Sequence, residues 1–359
     1  MRAEAVGRSG RGARPNRSCH NDRGIRVKVV IQIPCLNEEA ILPETLADLP
    51  RSLDGVDEIE VLVIDDGSSD RTSLVAREHG VDHVLRAPVN QGLARAFSAG
   101  LDFALKRGAD IIVNTDADHQ YRGDQIQRLI DPILHHEADI VVGNRRPGRV
   151  AHFSPIKRML QVCGSWVVSR LSGIHIPDAT SGFRALSREA ALRMNVVSDF
   201  TYTLETVIQA GKKQLFVAHV DIDVNPQKRP SRLFPGIPSY VLRSISTLVR
   251  IYSLYEPMRV FTVIGLLLLT GGTALGLRFV IYYFIDGGAG HIQSLLLAVV
   301  LLLAGFQAVL VGLLADLIGS SRRMLEDTLL RIRRLELRDL PVKDDLAAID
   351  PATLTRGAD

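Results

Sequence analysis

The sequence predicts an α/β protein that is built on a mostly parallel sheet and followed by two membrane-spanning helices. Between residues 27 and 142, short apolar runs alternate with segments of helical periodicity, which is typical of parallel strands buried on both faces. Further along, two apolar runs are each long enough to cross a hydrocarbon core of ~30 Å. A chain of 359 residues suits one globular domain with an appended membrane part.

The elements of the globular part follow in chain order. Apolar runs predict strands at residues 27–33, 60–64, 83–85, 110–114 and 139–142. Helical periodicity predicts helices at residues 38–49, from 71, at 93–107 and at 125–136. Beyond them the pattern is mixed, and it predicts helices at 155–171 and 202–210 and strands at 181–186 and 215–224. Ligands of such a sheet bind at the carboxyl ends of its strands.

The flanking regions differ in composition from the globular part. Residues 1–24 hold six arginines and no apolar core, and they are predicted to form a disordered basic extension. Residues 231–256, within a stretch rich in Arg, Pro and large apolar side chains, are predicted to form juxtamembrane interfacial helices. These bounds leave residues 25–230 for the globular domain.

The two apolar runs predict a multi-pass protein of the cell membrane. Val260–Ile285 and Ile292–Ile318 form the spans, within a membrane part at 257–319. The connection between them lacks Lys and Arg, whereas the outer flanks are rich in Arg, so the globular domain and both termini are predicted to be cytoplasmic. Residues 320–359 are predicted to form a cytoplasmic amphipathic helix and tail. Arg278, inside the first span, either snorkels to the headgroups or contacts a lipid.

The rest of the composition says little about partners. A formal net charge of +3 does not indicate a nucleic-acid partner, and none is expected. Three cysteines without metal-binding spacing fit a reducing compartment: Cys19, Cys35 and Cys163. The sequence is also compatible with a homo-oligomer.

The most informative motif follows the predicted strand at 110–114. Asp116 and Asp118 stand one residue apart at the strand end, so their side chains point the same way. Such a pair can hold a divalent cation on hard oxygen ligands and leave coordination sites for a diphosphate. The pair alone is weak evidence, because it is common by chance, and its position at a strand end is what gives it weight.

Acidic motifs also end the first two predicted strands. Asp65 or Asp66 stands where a carboxylate can accept hydrogen bonds from a base or a ribose, whereas Asp70 can simply cap the next helix. Glu38 and Glu39 follow the first strand and can equally be first-turn acids that favour the helix dipole. Each motif alone leaves a structural interpretation open.

Taken in order, these motifs resemble the family 2 glycosyltransferases, whose nucleotide-binding fold is of the GT-A type. The matching patterns are P-x-x-N-E-E from Pro34, V-I-D-D-G-S-S-D ending at Asp70, N-x-G-x-x-x-A from Asn90, and D-A-D-x-Q from Asp116. The later part is similar to the polyisoprenyl-phosphate glycosyltransferases of the dolichol-phosphate mannose synthase type. The matching segments there are Gly143–Arg145, Lys157–Leu160, Asp178–Arg184, Leu204–Glu205 and Arg229–Leu233.

The resemblance implies a catalytic domain with a nucleotide-sugar site, a metal and a lipid acceptor. The positions that match nucleoside-binding residues are Pro34, Asn37, Glu38 and Asp66, with Asp116 near the ribose and diphosphate. Asp118 and Gln120 match ligands of Mg²⁺ or Mn²⁺. The positions that match residues holding the lipid phosphate are Arg145 and Arg158, together with Arg229 and Arg232 in a basic loop that is shorter than usual.

Two further acids have open roles. Asp178 is a candidate catalytic residue that either orients the arginines or assists as a base, and a structural hydrogen bond at a turn is equally consistent with the sequence. Glu205, on a predicted helix, is either a buried partner for an arginine or part of a solvated face.

The function expected from the resemblance is an inverting, metal-dependent transfer of a hexose from a UDP- or GDP-sugar to a polyisoprenyl phosphate at the bilayer. Because a phosphate acceptor is already anionic, it needs desolvation and correct orientation more than it needs a strong base, and arginine supplies both. Two alternatives remain. One is a glycosyltransferase acting on a glycolipid or polysaccharide, and the other is a non-catalytic membrane scaffold that binds a nucleotide-sugar.

Overall fold

The structure is a computed structural model that describes residues 4–5, 26–146, 164–166, 168–170, 172–196, 202–226, 257–287 and 292–339. The chain divides into two compact units. The first comprises Met1–Thr247 together with Ile332–Asp359, and it contains the sheet. The second comprises Leu248–Arg331 and contains the apolar helices.

The first unit is built on one eight-stranded sheet. Its strands are β1 (Glu4–Ala5), β2 (Lys28–Cys35), β3 (Glu58–Asp65), β4 (His83–Arg86), β5 (Ile111–Asn114), β6 (Ile140–Asn144), β7 (Arg184–Ser187) and β8 (Val217–Asp221). The order across the sheet is β1-β8-β6-β7-β5-β2-β3-β4. Four neighbouring pairs are parallel: β2 with β3, β2 with β5, β3 with β4, and β6 with β8.

Helices lie between the strands and continue beyond them. In the first unit they are α1 (Leu42–Ala47), α2 (Thr72–Glu78), α3 (Leu93–Lys106), α4 (Ile126–Leu134), α5 (Arg188–Arg193) and α6 (Tyr202–Lys212), with a 3₁₀ turn at Gly123–Gln125. The two long helices are α7 (Pro257–Asp286) and α8 (Ile292–Asp339). The predicted α/β class with a mostly parallel sheet is therefore confirmed, and so are the two apolar helices.

Sequence pattern explains the core of the sheet. The run from Val29 to Cys35 in β2 is buried throughout, because this strand lies between β3 and β5 and is covered on both faces. Helix α3 packs its apolar side against β2 and β3, where Phe97 and Leu101 are buried. Helix α1 begins at Leu42, four residues later than predicted, since the Glu38 carbonyl accepts the amides of Ile41 and Leu42 in a preceding turn.

Apart from the two-residue β1, which is antiparallel to β8, one strand runs against the others and was not predicted to do so. β7 lies between β5 and β6 and is antiparallel to both. Its register places Arg184 opposite Asn114 at the carboxyl end of β5. The segment before β7 therefore meets the strand end that carries the two aspartates. The short helix α5, which directly follows β7, was also not predicted.

Several predicted segments lie largely outside the described residues. The interfacial helices at 231–256 are one, and most of the helix at 155–171 is another, although residues 164–166 and 168–170 are helical. Within the extension predicted to be disordered, Glu4 and Ala5 form β1, which pairs with β8. Of the amphipathic helix and tail predicted at 320–359, the described residues 320–339 form the last part of α8.

Both long helices meet the requirements of membrane spans in length and composition. The candidate spans have mean hydropathies of 2.0 for Met258–Ile285 and 2.6 for Ile292–Arg338, and only 11% and 17% of their most apolar windows are buried. A core helix of a soluble domain would be mostly buried, so this exposure favours lipid contact. α8 is roughly 72 Å long at 1.5 Å per residue, which exceeds one hydrocarbon core.

The second unit is held together by small residues. Gly265 in α7 faces Gly305 in α8, and Gly272 faces Ala298, so in each helix the paired positions lie seven residues apart. A Cβ atom on Gly305 would lie 2.9 Å from the Gly265 carbonyl oxygen, and one on Gly272 would lie 3.0 Å from that of Ala298. The two backbones therefore approach as closely as glycine allows, which is a common packing mode for helices in lipid.

The carboxyl end of α8 contacts the α/β domain. Arg334 donates to both carboxylate oxygens of Glu189, at 2.7 and 2.8 Å. Arg333 donates to the carbonyls of Leu192 and Met194, at 3.4 and 3.1 Å, and lies 3.6 Å from the Asp102 carboxylate. We call these contacts the C-terminal clasp. They satisfy carbonyls at the end of α5, where helices leave such groups unpaired.

A pair of alanine substitutions tests the small-residue packing. Gly305→Ala places a methyl group against a backbone carbonyl, so we expect the unfolding free energy of the helix pair to fall by about 1–3 kcal/mol. Gly271→Ala is the matched control, because its Cβ would lie 3.9 Å from the nearest atom, in ordinary contact. Thermal unfolding in detergent, followed by circular dichroism, measures both. Equal stability of the two variants would contradict the packing described.

Candidate active site

The structure brings the sequence motifs to one edge of the sheet. In the parallel register, Cys35 of β2 lies opposite Asp65 of β3, and Gln32 of β2 lies opposite Asn114 of β5. The loops that follow these strands therefore leave the sheet on the same side. Hydrogen bonds connect them further, since the Thr45 hydroxyl of α1 donates to the Ala117 carbonyl at 3.0 Å.

The loop after β2 is joined to the loop after β3 by Asn37. Its backbone has a left-handed φ of 56°, which Asn tolerates better than most residues. Its amide donates to the Ser68 hydroxyl at 2.9 Å, and its side-chain oxygen accepts the Ser69 amide at 2.9 Å. The next residue, Glu38, donates its amide to the Thr72 hydroxyl at 2.8 Å. Asn37 and Glu38 therefore help to shape the edge, while Pro34 is buried within β2.

The two neighbouring aspartates of the second motif have different partners. Asp65 is fully buried and accepts the Ser68 amide at 2.8 Å and the hydroxyl of Ser73. Asp66 accepts the amides of Gln91 and Gly92, both at 2.8 Å. Asp65 thus stabilises its own turn, whereas Asp66 connects the V-I-D-D-G-S-S-D motif to the N-x-G motif.

Glycines let these two motifs approach closely. Gly67 has a φ of 72°, and a Cβ atom there would lie 2.5 Å from the backbone of Val89. Gly92 has a φ of 97°, a backbone conformation that is unfavourable for any residue with a Cβ atom. The loop that carries N-x-G is therefore held against the loop that carries the two aspartates.

The D-A-D loop turns tightly after β5. His119 adopts a left-handed φ of 55°, and Asp118 accepts the Gln120 amide at 3.1 Å. Asp116, Asp118 and Gln120 are all partly exposed. Their carboxylate and amide oxygens therefore share one short loop that is open to a ligand.

Asp116 has an unusual electrostatic environment. Burial and the neighbouring charge of Asp118 raise the pKa of its carboxyl to about 7, although Arg145 and Arg184 act in the opposite direction. Its oxygens lie 2.7 and 2.8 Å from the point where Gly182 would carry a Cβ. Any residue larger than glycine at 182 would therefore collide with this carboxylate.

A buried polar network lies beneath Asp116. The Asn114 side chain donates to the Gly182 carbonyl at 2.9 Å and to the Tyr202 hydroxyl at 2.8 Å, and it accepts from Gln32 at 2.9 Å. The Tyr202 ring stacks on Phe97 with centroids 3.9 Å apart. The network fixes the strand end from which the D-A-D loop leaves.

Arg184 is a residue of this site to which sequence reasoning assigned no role. It is fully buried on β7, and its guanidinium lies 5.4 Å from the Tyr202 ring centre. The guanidinium donates hydrogen bonds to the Thr203 carbonyl at 3.2 Å, to the Thr206 hydroxyl and to the Ser181 carbonyl. Burial lowers the pKa of its guanidinium. The only sequence signal was its place at the end of the D-A-T-S-G-F-R segment.

Arg145 and Asp178 form a buried bidentate ion pair. Nε and Nη2 of Arg145 donate to the two carboxylate oxygens at 2.7 and 2.9 Å, and Nη2 also donates to the Thr180 hydroxyl at 2.9 Å. Burial would raise the pKa of the Asp178 carboxyl, yet the charge and hydrogen bonds of Arg145 hold that pKa below its usual range. Of the roles left open for Asp178, this geometry supports orienting Arg145 rather than accepting a proton.

The remaining predicted residues divide into two groups. Glu205 is buried, which excludes a solvated face, and it accepts a hydrogen bond from Gln209 at 3.1 Å. Arg158, Arg229 and Arg232 lie outside the described residues.

The loop suits a hard divalent cation. The described residues contain no group of three or more His, Cys, Asp or Glu side chains placed to hold a metal ion. The donors of the D-A-D loop are instead two carboxylates and one amide oxygen, which suit Mg²⁺ or Mn²⁺ when a ligand's phosphates complete the coordination. Burial and the charge of Asp118 raise the pKa of Asp116 in spite of Arg145 and Arg184, so a cation bound at the loop would favour its charged form.

A mostly parallel α/β sheet with acidic loops along its carboxyl edge is a nucleotide-binding fold of the GT-A type. Among solved structures, glucosyl-3-phosphoglycerate synthase from Mycobacterium tuberculosis in complex with Mn²⁺, UDP-glucose and phosphoglyceric acid is similar, with a TM-score of 0.51 and 22% identity. The superposition covers 64% of this chain and 80% of that chain, and it shows a shared fold.

Sequence comparison identifies the family. The model of glycosyl transferase family 2 matches residues 30–193. An undecaprenyl-phosphate mannosyltransferase of Micrococcus luteus is 34% identical over 165 residues, which cover 44% of this chain and 66% of that protein. A polyprenol monophosphomannose synthase of Mycolicibacterium smegmatis is 31% identical over 176 residues, which cover 47% of this chain and 65% of that protein. The chain belongs to glycosyl transferase family 2.

The electrostatic strain at Asp116 has a measurable consequence in the metal-free protein. Between about pH 4 and pH 7 the folded chain holds a proton on Asp116 that the unfolded chain releases, so folding stability falls as pH rises through this window. Asp116→Asn removes the effect. We expect this variant to be more stable than wild type at pH 8 by roughly 1 kcal/mol or more, and to lose the advantage near pH 4.

Thermal unfolding in EDTA at several pH values measures this difference. Asp124→Asn is the control, because Asp124 is exposed and lies outside the D-A-D loop. An Asp116→Asn variant with the same pH dependence as wild type would contradict the assigned environment of Asp116.

Proposed function

We propose that this family 2 glycosyltransferase transfers a hexose from a nucleotide-sugar to a polyisoprenyl phosphate. The observation that carries the proposal is the fixed cation Arg145, which lies close enough to influence Asp116 at the carboxyl edge of the sheet, in a chain with two membrane-length helices. Two similar proteins, an undecaprenyl-phosphate mannosyltransferase and a polyprenol monophosphomannose synthase, are named for the same acceptor class and support it.

The donor is proposed to bind across the loops that follow β2, β3 and β5. Asn37, Glu38 and Asp66 surround the position of the nucleoside, together with Pro34 in β2. Asp66 holds its loop with one hydrogen bond to each oxygen, and each carboxylate oxygen has a further lone pair for a base or ribose. Asp116 faces the ribose and diphosphate, and a UDP- or a GDP-hexose fits these interactions.

The D-A-D loop is proposed to hold Mg²⁺ or Mn²⁺ through Asp118 and Gln120. A divalent cation bound there acts as a Lewis acid that stabilises the charge developing on the departing nucleoside diphosphate. Asp116 must lose its proton for the loop to carry its full negative charge. The buried Asn114 network keeps the loop in place while that charge changes.

The acceptor phosphate is proposed to bind at Arg145. Asp178 and Thr180 accept hydrogen bonds from its Nε and Nη2 atoms, so the guanidinium is held in one orientation, and Nη1 is the nitrogen that we propose to contact the phosphate. The predicted contributions of Arg158, Arg229 and Arg232 add positive charge from segments outside the described residues. A phosphate oxygen fixed in this way can attack the anomeric carbon without a strong base, which gives inversion and a lipid-linked monophosphosugar.

The C-terminal clasp supports the proposed membrane topology. Arg333 and Arg334 contact the α/β domain directly, so the end of α8 and this domain share one side of the membrane. Two spans between them satisfy that requirement. The distribution of arginine favours the cytoplasm as this side.

A donor screen tests the proposed reaction. Detergent-purified protein is incubated with Mn²⁺ or Mg²⁺, a short polyisoprenyl phosphate and a panel of UDP- and GDP-sugars. Release of nucleoside diphosphate and the mass of the lipid are measured together. We expect one donor to give a hexosyl lipid phosphate, and Asp118→Ala to lose most of the turnover while remaining folded.

Other outcomes of the screen contradict specific parts of the proposal. Nucleotide release without a gain in lipid mass would point to hydrolysis or to another acceptor. Binding of a donor without release of nucleoside diphosphate, whichever acceptor is present, would revive the scaffold interpretation. Substantial turnover by Asp118→Ala would remove its role as a metal ligand.

Cysteine labelling tests the proposed topology. Single cysteines are placed at Ala289, between the two spans, and at Lys343, after α8, in a chain whose three native cysteines are replaced. A membrane-impermeant maleimide should label Ala289→Cys in intact cells and Lys343→Cys only after permeabilisation. The reason is that arginine-rich segments flanking membrane spans stay on the cytoplasmic side. The reverse pattern would overturn the cytoplasmic assignment.

A further inference from the structure

The D-A-D loop is joined to the segment that follows β8 by three contacts. The Asn225 amide donates to the Gln120 carbonyl at 2.9 Å. Its side-chain nitrogen donates to the His119 carbonyl at 3.1 Å. Beside them, Tyr121 and Val224 form an antiparallel bridge. A single residue, Asn225, therefore satisfies the carbonyls of two consecutive residues of the loop.

These two carbonyls lie in the part of the loop whose backbone conformation is unfavourable. His119 has a left-handed φ of 55°, a conformation that an L side chain adopts at some cost. Asp118 is already turned back on the loop by its bond to the Gln120 amide. Fixing the carbonyls of His119 and Gln120 fixes the peptide planes on both sides of the Gln120 α-carbon.

We infer that Asn225 is a positioning residue for the metal-binding loop. By holding the peptide planes of His119 and Gln120, it sets the direction in which the proposed ligands Asp118 and Gln120 present their oxygens. Such support of metal ligands from behind commonly matters 10- to 100-fold for metal affinity. This inference rests on the proposed metal dependence.

A purely structural contact would have a different signature. Loss of one loop-to-loop hydrogen bond would lower thermal stability and leave the affinity of the folded protein for a metal unchanged. A positioning role lowers metal affinity in a protein that remains folded. Metal affinity measured beside the unfolding temperature therefore separates the two.

The test uses Asn225→Ala and Asn225→Leu in the full chain. The first removes the side-chain donor, and the second also keeps most of the side-chain volume, so a defect shared by both is not a packing defect. Asp223→Ala is the matched control, because Asp223 is an exposed residue of the same segment. Loss of the free Mn²⁺ signal in electron paramagnetic resonance measures binding, with UDP and then GDP present.

We expect wild type and Asp223→Ala to bind one Mn²⁺ with equal affinity, and both Asn225 variants to bind roughly tenfold or more weakly at an unfolding temperature near that of wild type. Activity of the Asn225 variants should recover as Mn²⁺ is raised. Equal Mn²⁺ affinity of Asn225→Leu and wild type would overturn the positioning role alone. If wild type binds no Mn²⁺ under either condition, the proposed metal dependence fails and this inference fails with it.

Discussion

The site depends on one buried amide, the side chain of Asn114. It joins Gln32 in β2, the Gly182 carbonyl before β7 and the Tyr202 hydroxyl in α6. Because each buried polar group left without its partner costs about 1–3 kcal/mol, none of the three elements can move away without penalty. The D-A-D loop begins two residues later, so its position relative to the rest of the edge follows from this network.

The site contains one ion pair of opposite charges and one pair of neighbouring carboxylates. Asp178 and Arg145 each stabilise the charged form of the other, so neither exchanges a proton near neutral pH. Asp116 and Asp118 repel each other, and burial adds to the effect. The edge of the sheet therefore combines a fixed cation with an anionic loop, a combination suited to holding an anionic ligand and a cation together.

Much of the fold could be predicted from the sequence because its signals are local. Parallel strands gave continuous apolar runs, and the motifs stood at their ends. The position of β7 could not be predicted, since its register with β5 joins Asn114 to Arg184, residues 70 positions apart in the chain. For the same reason the burial of Arg184 and the contacts of Asn225 with the D-A-D loop had no signal in periodicity or motif. Asp178 was recognised as a candidate, and only its contacts favoured orienting Arg145 over proton transfer.

The C-terminal clasp bears on any attempt to study the α/β domain without its anchor. A fragment that ends before α7 would lose Arg333 and Arg334 along with the two apolar helices. The carbonyls of Leu192 and Met194 would then lose Arg333 as a donor, and of the side-chain bonds among the described residues Glu189 would keep the one to Arg193. The last turns of α8 therefore belong to the α/β domain itself, because their side chains complete its surface.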